Sequence, residues 1–350
     1  KSIKIMNIQD LLRPTIKALK PYSSARDEFQ GATDNMVFLD ANENPYNNGV
    51  NRYPDPQQGD LKKIISKIKG ISTKNILLGN GSDEVLDLLF RAFCEPNIDN
   101  IITLPPTYGM YSVLANINAI GINTVQLDAN FQPQVSKILE LADAQSKILF
   151  LCSPNNPTGN SFTTASIEAL LNGFKGIVVI DEAYIDFSEQ KSWITRLEEF
   201  PNLIVTQTLS KAYGMAGIRL GICYASTAII SVLNTIKPPY NVNTLTQNKA
   251  IELLTDKDLA PQQIQTILQE RTVLIKELET IRFVSKTYHS DANFVLAKVD
   301  NATMRYNQLI EKGIVIRNRT TQPGCENTLR FTVGTAQENK ILIDTLKSIS

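Results

Sequence analysis

The sequence predicts an α/β protein in which a mostly parallel sheet is sandwiched by helices and is followed by a smaller α+β lobe. Short, nearly all-apolar runs recur over residues 76–224, as expected of strands that are buried on both faces. Helical patterns separate these runs, for example an apolar stripe with helical spacing from Val85 to Phe93. Near residue 245 the pattern changes to a long helix followed by strands.

Seven of the apolar runs are predicted to form the main sheet. They cover residues 76–78, 101–104, 124–127, 148–152, 177–180, 203–207 and 220–224. We expect a large domain over residues 40–244, and a small domain that combines residues 1–39 with residues 245–350. The first 35 residues show no strand pattern, so they are expected to pack on the small lobe or on its mate.

The small lobe has its own predicted elements. A helical stretch covers residues 245–278 and is expected to be kinked or broken at Pro261. Strands are then predicted at 294–299, 314–317 and 329–333, and a last helix from about Gln337.

The composition excludes several classes of function. The 35 basic residues balance 35 acidic ones, so no net charge attracts nucleic acid or anionic lipid. No apolar run is long enough to span a membrane and no secretory core is present, so cytoplasmic residence is expected. The four cysteines form no CxxC pair, and the single histidine, His289, argues against zinc and Ser-His-Asp enzymes. In an enzyme of this composition another side chain must move protons.

Lys211 is the strongest candidate for a catalytic residue. It follows the predicted strand at 203–207 and has small neighbours that leave room for a flat ligand. Partial burial lowers the pKa of a lysine, so its free amine can react with an aldehyde. Ser210 and Arg219 are candidates for binding the phosphate of such a ligand. The alternative is a surface loop that happens to be rich in glycine.

Asp181 follows the apolar run 177–180, at the edge where open α/β sheets bind ligands. A carboxylate that pairs with a pyridine nitrogen keeps that nitrogen protonated, so the ring can accept electrons. Tyr184, three residues further on, can donate a hydrogen bond to an oxygen of the same ring. Alternatively, Asp181 caps a helix and Tyr184 belongs to the core, and Glu182 is expected to be structural.

Two turns after other predicted strands complete the candidate site. Asn156 lies in the turn after Cys152 and is placed to hydrogen-bond the ring oxygen, unless this turn is only a rigid connection. The turn at Gly81 precedes a helix whose free N–H groups suit a phosphate. Ser82 and the backbone are assigned to the contact, because the carboxylate of Asp83 would repel phosphate, and capping by Ser82 is the alternative. Each group follows a separate strand, so we expect the strand ends to converge on one cleft.

These motifs together resemble the fold-type I aminotransferases that depend on pyridoxal 5'-phosphate (PLP), and among them the histidinol-phosphate aminotransferase family. The resemblance extends from residues 21–26 to residues 329–334. The motifs around Lys211 and Asp181 are typical of the whole superfamily. The Pro-Tyr-Ser-Ser-Ala-Arg segment at 21–26 and the Asn-Glu-Asn-Pro segment that starts at Asn42 point to the narrower family.

The resemblance implies a role for each matching position. Lys211 would bind PLP covalently and act as the base, Asp181 would pair with the ring nitrogen, and Tyr184 would contact the ring oxygen. The implied cofactor contacts are Ser82, Asp83 through its amide, Tyr108 on the ring face, Asn156, Asp181, Tyr184, Ser210, Lys211 and Arg219, with Tyr53 reaching the cofactor phosphate of the neighbouring subunit in a homodimer. The implied substrate contacts are Tyr22, Asn42, Arg317 and Arg330.

The implied reaction is reversible amino transfer between L-histidinol phosphate and 2-oxoglutarate, which gives imidazole-acetol phosphate and L-glutamate in histidine biosynthesis. A threonine-phosphate decarboxylase and an aromatic or broad-specificity aminotransferase remain alternatives, because they share the fold and the cofactor motifs. A non-catalytic PLP-fold module, such as the effector-binding half of a transcription regulator, is a more distant alternative. It should carry a DNA-binding domain and a basic patch, and the sequence indicates neither.

Overall fold

The computed structural model describes residues 7–20 and 36–349, and its larger sheet has seven strands. These are β1 (Ile76–Asn80), β2 (Asn100–Thr103), β3 (Gly121–Thr124), β4 (Ser146–Cys152), β5 (Ile177–Asp181), β6 (Leu203–Thr208) and β7 (Leu220–Ala225). Their order is β1-β7-β6-β5-β4-β2-β3. Strand β7 is antiparallel to both neighbours and the other pairs are parallel, so the predicted mostly parallel sheet is confirmed.

Helices cover both faces of this sheet. They are α1 (Pro14–Lys17), α2 (Gly59–Lys69), α3 (Ser82–Phe93), α4 (Met110–Ile117), α5 (Val135–Leu141), α6 (Thr164–Gly173), α7 (Thr227–Ile236) and α8 (Thr244–Thr255). Successive strand residues point to opposite faces. Leu77 and Val179 therefore pack with α3, α4 and α7, whereas Leu78 and Val178 pack with α2, α6 and α8. The sheet is the centre of a three-layer sandwich.

The C-terminal part of the chain forms a second, four-stranded antiparallel sheet. Its elements are α9 (Leu259–Leu278), β8 (Val284–Thr287), β9 (Phe294–Val299), α10 (Ala302–Glu311), β10 (Arg317–Asn318), β11 (Thr328–Thr332) and α11 (Ala336–Ser348). The strand order is β10-β11-β9-β8, and a separate apolar core contains Leu278, Phe331 and Leu346. This is the smaller α+β part that the sequence predicts.

Two predicted strands lie elsewhere along the chain. Strand β3 covers Gly121–Thr124 rather than 124–127, because its pairing with β2 begins at Gly121, opposite Asn100. A Cβ on Gly121 would lie 3.2 Å from the Cβ of Asn100, so glycine suits this close approach. Strand β10 is only Arg317–Asn318, and residues 314–316, predicted as strand, precede it.

The predicted long helix is two helices, α8 and α9. The carboxylate of Asp256 accepts the N–H groups of Asp258 and Leu259, which begins α9 after a break. Pro261 lies in the first turn of α9, where a missing N–H leaves no intrahelical bond unmade. Helix α8 packs on the core of the large sheet through Ala250. The division into domains at residue 244 stays a prediction.

The N-terminal segment packs differently from the expectation, as far as residues 7–20 show. Ile8 and Leu12 lie in the apolar cluster of α3 and the large sheet, not in that of the small sheet. The N–H of Arg13 donates to the carbonyl of Ala92, and its Nε lies 3.3 Å from Glu95. These contacts attach the segment to the end of α3.

The topology brings several loops to one edge of the large sheet. Strands β4, β5 and β6 are adjacent and parallel, so the loops after Cys152, Asp181 and Thr208 leave the same edge. The small sheet approaches this edge, where the rings of Tyr184 and Phe294 meet edge to face with centroids 5.2 Å apart. Within the described ranges, no helix combines the length and apolarity needed to cross a membrane.

Candidate active site

A cleft of about 550 Å³ opens between the carboxyl ends of the large sheet and strands β10 and β11. It brings together most of the residues that the sequence predicted for the site. These are Ser82, Asp83, Tyr108, Asn156, Asp181, Tyr184, Ser210, Lys211, Arg219, Arg317 and Arg330. Side chains from seven separate segments of the chain thus line one cavity.

Three predicted residues are not among those that line the cleft. Asn42 and Tyr53 line a separate pocket of about 390 Å³, where Tyr53 stacks on Tyr240 with ring centroids 4.4 Å apart. The ring of Tyr53 remains half exposed. Tyr22 lies outside the described residues. Within one chain, therefore, Asn42 and Tyr53 do not join the other predicted residues.

Glycines shape the turn at the start of α3. Gly81 has a φ of +80°, and a Cβ there would lie 2.7 Å from Nη2 of Arg219. A Cβ on Gly221 of β7 would lie 2.4 Å from the amide nitrogen of Ser82. Glycine at both positions lets the helix start lie against β7 and beside the guanidinium. The free N–H groups of α3 and Arg219 form a site of the kind that binds phosphate.

The carboxylate of Asp83 also faces this region. Its Oδ1 accepts a hydrogen bond of 3.2 Å from the hydroxyl of Tyr108, and its Oδ2 lies 4.0 Å from Nη2 of Arg219. Burial and then the negative charge of Asp83 raise the pKa of Tyr108, so its hydroxyl stays protonated and donates. The bond holds the ring of Tyr108 at the wall of the cleft.

Asp181 is buried at the end of β5 with its carboxylate at the floor of the cleft. Oδ2 accepts a hydrogen bond of 2.8 Å from the hydroxyl of Tyr111, and Oδ1 accepts the N–H of Ala183 at 3.2 Å. Burial raises the pKa of Asp181, and these hydrogen bonds oppose the rise. A desolvated carboxylate of this kind favours a cationic partner, such as a protonated ring nitrogen.

The turn after β4 carries Asn156 into the cleft. Nδ2 of Asn156 lies 3.5 Å from the hydroxyl of Tyr184, to which it donates, and Oδ1 accepts a bond of 2.5 Å from Arg330. The guanidinium of Arg330 also lies 5.0 Å from the centroid of Phe294. Burial raises the pKa of Tyr184 above its ordinary value. These groups form a hydrogen-bonding wall beside Lys211 that carries the positive charge of Arg330.

Lys211 extends into the cleft from the loop after β6. Its Nζ lies 5.8 Å from the ring centroid of Tyr184. Burial lowers the pKa of Lys211, the positive charge of Arg330 lowers it further, and Asp181 opposes the change. A lowered pKa increases the fraction of unprotonated amine, which is the nucleophile and the base.

Comparison with known proteins identifies the family. The family model for aminotransferase class I and II matches residues 28–346 of the chain. The chain belongs to this aminotransferase family. The enzyme is 65% identical over 345 residues to a histidinol-phosphate aminotransferase of Flavobacterium johnsoniae, with 98% of this chain and 99% of that protein covered.

Solved structures agree with this assignment. The histidinol-phosphate aminotransferase of Clostridium acetobutylicum superposes with a TM-score of 0.79 at 25% identity, over 86% of this chain and 91% of that one. L-threonine-O-3-phosphate decarboxylase of Porphyromonas gingivalis has a TM-score of 0.71 at 22% identity over 86% and 91% of the two chains, which shows a shared fold alone. The aminotransferase has the fold-type I architecture and depends on PLP.

The cleft of the aminotransferase fits this cofactor. The glycine turn and Arg219 suit its phosphate, and buried Asp181 suits its ring nitrogen. The amine of Lys211, with its lowered pKa, suits the aldehyde. These features are independent of one another, and each matches a different part of the same molecule.

Sequence reasoning missed Tyr111, which is buried against Asp181, and Arg319, which lines the cleft of this aminotransferase. Tyr111 lies three residues after Tyr108 on α4, and the two rings pack edge to face with centroids 5.5 Å apart. Tyr108 precedes α4, and the nearness of Tyr111 to it along the chain is the signal that could have placed Tyr111 beside the site. Arg319 lines the cleft two residues after Arg317, and alternation along an extended chain is the signal that could have identified it.

Proposed function

We propose that the enzyme transfers the amino group of L-histidinol phosphate to 2-oxoglutarate, giving imidazole-acetol phosphate and L-glutamate. We expect this step of histidine biosynthesis to take place in the cytoplasm. The observation that carries the proposal is the arginine wall opposite Asp181, where Arg317 and Arg330 lie in register on β10 and β11. Both substrates are anions, so a cationic wall beside Lys211 suits their phosphate and carboxylate groups. The extensive similarity to the Flavobacterium johnsoniae protein supports the same reaction.

The proposed cofactor contacts follow from the geometry of the cleft. PLP, when bound, supplies a ring that accepts the electron pair released as the substrate loses its Cα proton. Asp181 would keep a proton on the ring nitrogen, and Tyr111 would hold the carboxylate in place. The remaining assignments are Ser82, the amide of Asp83, Ser210 and Arg219 to the phosphate, Asn156 and Tyr184 to the ring oxygen, and Tyr108 to the ring face.

Lys211 would move the proton during the reaction. Its Nζ would accept the proton from the substrate Cα and then deliver it to carbon C4′ of the cofactor. The positive charge of Arg330 favours the unprotonated amine that this step requires. A lysine base explains how the site can work although the only histidine, His289, is exposed and outside the cleft.

Arg330 would bind the anionic group of either substrate, with Arg317 beside it. The buried Nε of Arg330 has no hydrogen-bond partner within the described residues, although its Nη1 is bound to Asn156. A planar guanidinium with a free edge suits a bidentate carboxylate or phosphate. We propose that this free edge of the Arg330 guanidinium positions the substrate relative to Lys211.

We also propose that the enzyme is a homodimer with shared active sites. Large apolar side chains in or next to the segments that line the second pocket are exposed, including Leu39 at 85%, Tyr46 at 82% and Leu245 at 67%. Such a surface is typical of an interface. Tyr53 and Asn42 lie in the same region, so each could reach the cleft of a partner subunit.

Mixing an inactive variant with an impaired one tests the shared site. Lys211→Ala dimers are expected to be inactive and Tyr53→Ala dimers impaired. A mixed dimer contains one site with Lys211 of one subunit and Tyr53 of the other, so activity should be regained. If mixing restores nothing although heterodimers form, Tyr53 does not serve the partner's site.

The reaction itself is tested by product analysis. The purified holoenzyme is supplied with L-histidinol phosphate and 2-oxoglutarate, and glutamate and carbon dioxide are measured. We expect stoichiometric glutamate from L-histidinol phosphate, which has no carboxylate to lose, and no carbon dioxide when L-threonine phosphate replaces it. Carbon dioxide from L-threonine phosphate would favour the decarboxylase instead, and faster turnover of aromatic amino acids than of L-histidinol phosphate would favour a broad-specificity aminotransferase.

A further inference from the structure

Three arginines lie on one wall of the cleft, Arg317, Arg319 and Arg330. Arg317 and Arg330 are register partners on antiparallel strands, so their side chains leave the same face of the sheet. Arg319 follows Arg317 by two residues, which is the spacing that returns an extended chain to one face. The N–H of Arg319 still donates to the carbonyl of Thr328 at 2.9 Å. The third arginine therefore belongs to the same surface as the other two.

The charge of this wall is not compensated within the described part of the chain. The guanidinium of Arg319 has no hydrogen-bond or ion-pair partner there, and its Nε is buried. The Nε of Arg330 and the hydroxyl of Thr320 are also buried without a partner. Burial and then a neighbouring arginine lower the pKa of both Arg319 and Arg330, and no carboxylate is among the groups that act on either. Unpaired buried donors of one charge indicate a site for an anion.

The number of arginines indicates which anion. A carboxylate has one charge and two oxygens, which one bidentate arginine can satisfy. A phosphate monoester has three terminal oxygens and becomes a dianion above a second pKa of about 6. Three guanidinium groups with no protein carboxylate beside them match a phosphate dianion better than a substrate carboxylate. One of the three is therefore expected to contribute to phosphate binding only.

We infer that Arg319 is a specificity-determining residue that binds the phosphate of the amine substrate and does not bind glutamate. The hydrogen bond to Asn156 uses only Nη1 of Arg330, so the other N–H groups of Arg330 remain available to both substrates. Arg319 has no such bond and lies further along the wall. The inference rests on the proposed function, because it assigns a part of the same substrate to a further residue.

The experiment compares substrates with and without the phosphate. Rates of the amine half-reaction are measured for L-histidinol phosphate, L-histidinol and L-glutamate with the holoenzyme, Arg319→Gln and Arg319→Lys. In Arg319→Gln the ratio of kcat/KM for L-histidinol phosphate to that for L-histidinol should fall at least about tenfold. The glutamate rate should stay within about twofold. Arg319→Lys should retain part of the preference, because it keeps the charge but not the fork. Arg282→Gln, an exposed arginine of the small lobe, is the matched control.

A structural role for Arg319 gives a different result. Arg319→Gln would then lose activity equally with all three substrates, and the ratios of their kcat/KM values would stay unchanged. This result would overturn the inference, while turnover of L-histidinol phosphate by the unaltered enzyme would still support the proposed function. If the unaltered enzyme does not act on L-histidinol phosphate, the proposed function is wrong. Inhibition of the glutamate half-reaction by inorganic phosphate then decides the inference. Its inhibition constant should rise at least about tenfold in Arg319→Gln, and an unchanged constant would overturn it.

Discussion

Nη1 of Arg330 donates a hydrogen bond of 2.5 Å to Oδ1 of Asn156. Arg330 lies on β11 of the small sheet and Asn156 lies in the turn after β4 of the large sheet, so the bond joins the two walls of the cleft. Because its oxygen is held in this way, the amide group of Asn156 directs Nδ2 towards the hydroxyl of Tyr184. The arginine proposed to bind the substrate and the proposed cofactor contacts are thus one connected unit.

Arg330→Lys should weaken the binding of both substrates. A lysine cannot hold Asn156 and also offer a planar edge to an anion. We expect the KM values for L-glutamate and L-histidinol phosphate to rise about 10- to 100-fold, as the loss of a charge-assisted hydrogen bond predicts. Steady-state kinetics measure this, with Arg282→Lys as the control. Unchanged KM values for both substrates would show that Arg330 does not bind them.

Tyr111→Phe should move the acidic limb of the pH profile of kcat/KM towards higher pH. The tyrosine hydroxyl stabilises the ionised form of Asp181, so its removal raises the pKa of Asp181 further. Activity that requires the carboxylate then appears only at higher pH, by up to about one unit.

Tyr224→Phe is the matched control for that change. Tyr224 is a fully buried tyrosine of β7, and its hydroxyl has no hydrogen-bond partner in the described structure. Its removal should leave the profile in place. The role of Tyr111 would be refuted by identical acidic limbs for the unaltered enzyme and Tyr111→Phe.

Gly81→Ala should weaken PLP binding. The new methyl group would displace the guanidinium of Arg219, and the φ of +80° adds backbone strain. We expect the dissociation constant of PLP to rise about tenfold or more, measured by absorbance titration of the apoenzyme. Gly217→Ala is the control, because a Cβ there meets no atom within 4 Å. Equal affinities for the two variants would show that the turn does not position the phosphate.

Glu182→Gln should remove a pH dependence of stability. Glu182 is buried and accepts hydrogen bonds from the N–H of Trp193 at 2.7 Å and from Gln207 at 2.8 Å, and burial raises its pKa to about 7. The unfolded chain releases this proton near pH 4.5, whereas the folded protein releases it near pH 7. Between these two pH values the folded state therefore binds more protons than the unfolded state. Raising the pH through this window therefore costs stability.

The Tm of thermal unfolding, recorded from about pH 5 to about pH 8, measures this effect. Tm should decline across the window in the unaltered protein and change less in Glu182→Gln. An equal decline in both proteins would assign the effect to other groups.

The meeting of these candidate residues in one cleft could be predicted from the sequence because each group follows the end of a strand. Asp181 directly follows an apolar run, Lys211 and Asn156 lie in the loops after two others, and parallel strands bring such positions to one edge. Arg219 was predicted from its place in the Lys211 motif. The same logic could not find Tyr111, which lies on an apolar helix and resembles a core residue until its hydroxyl meets Asp181.

Other features depend on contacts that no local pattern records. The N-terminal Ile8 and Leu12 were expected on the small lobe or on its mate, but they pack against α3, and an apolar residue alone does not indicate its partner. The break between α8 and α9 comes from Asp256, which begins the second helix, rather than from Pro261. Tyr53 and Asn42 were assigned by resemblance, and a single chain does not bring them to the cleft.

The visible absorption spectrum of the purified holoenzyme tests the central claim most directly. L-Histidinol phosphate should bleach the band of the PLP form, and 2-oxoglutarate should restore it, since the two substrates act in alternate half-reactions. Lys211→Ala should show neither change at a comparable rate. A band that L-histidinol phosphate leaves unaltered, while another amine bleaches it, would contradict the proposed substrate and with it this account of the cleft.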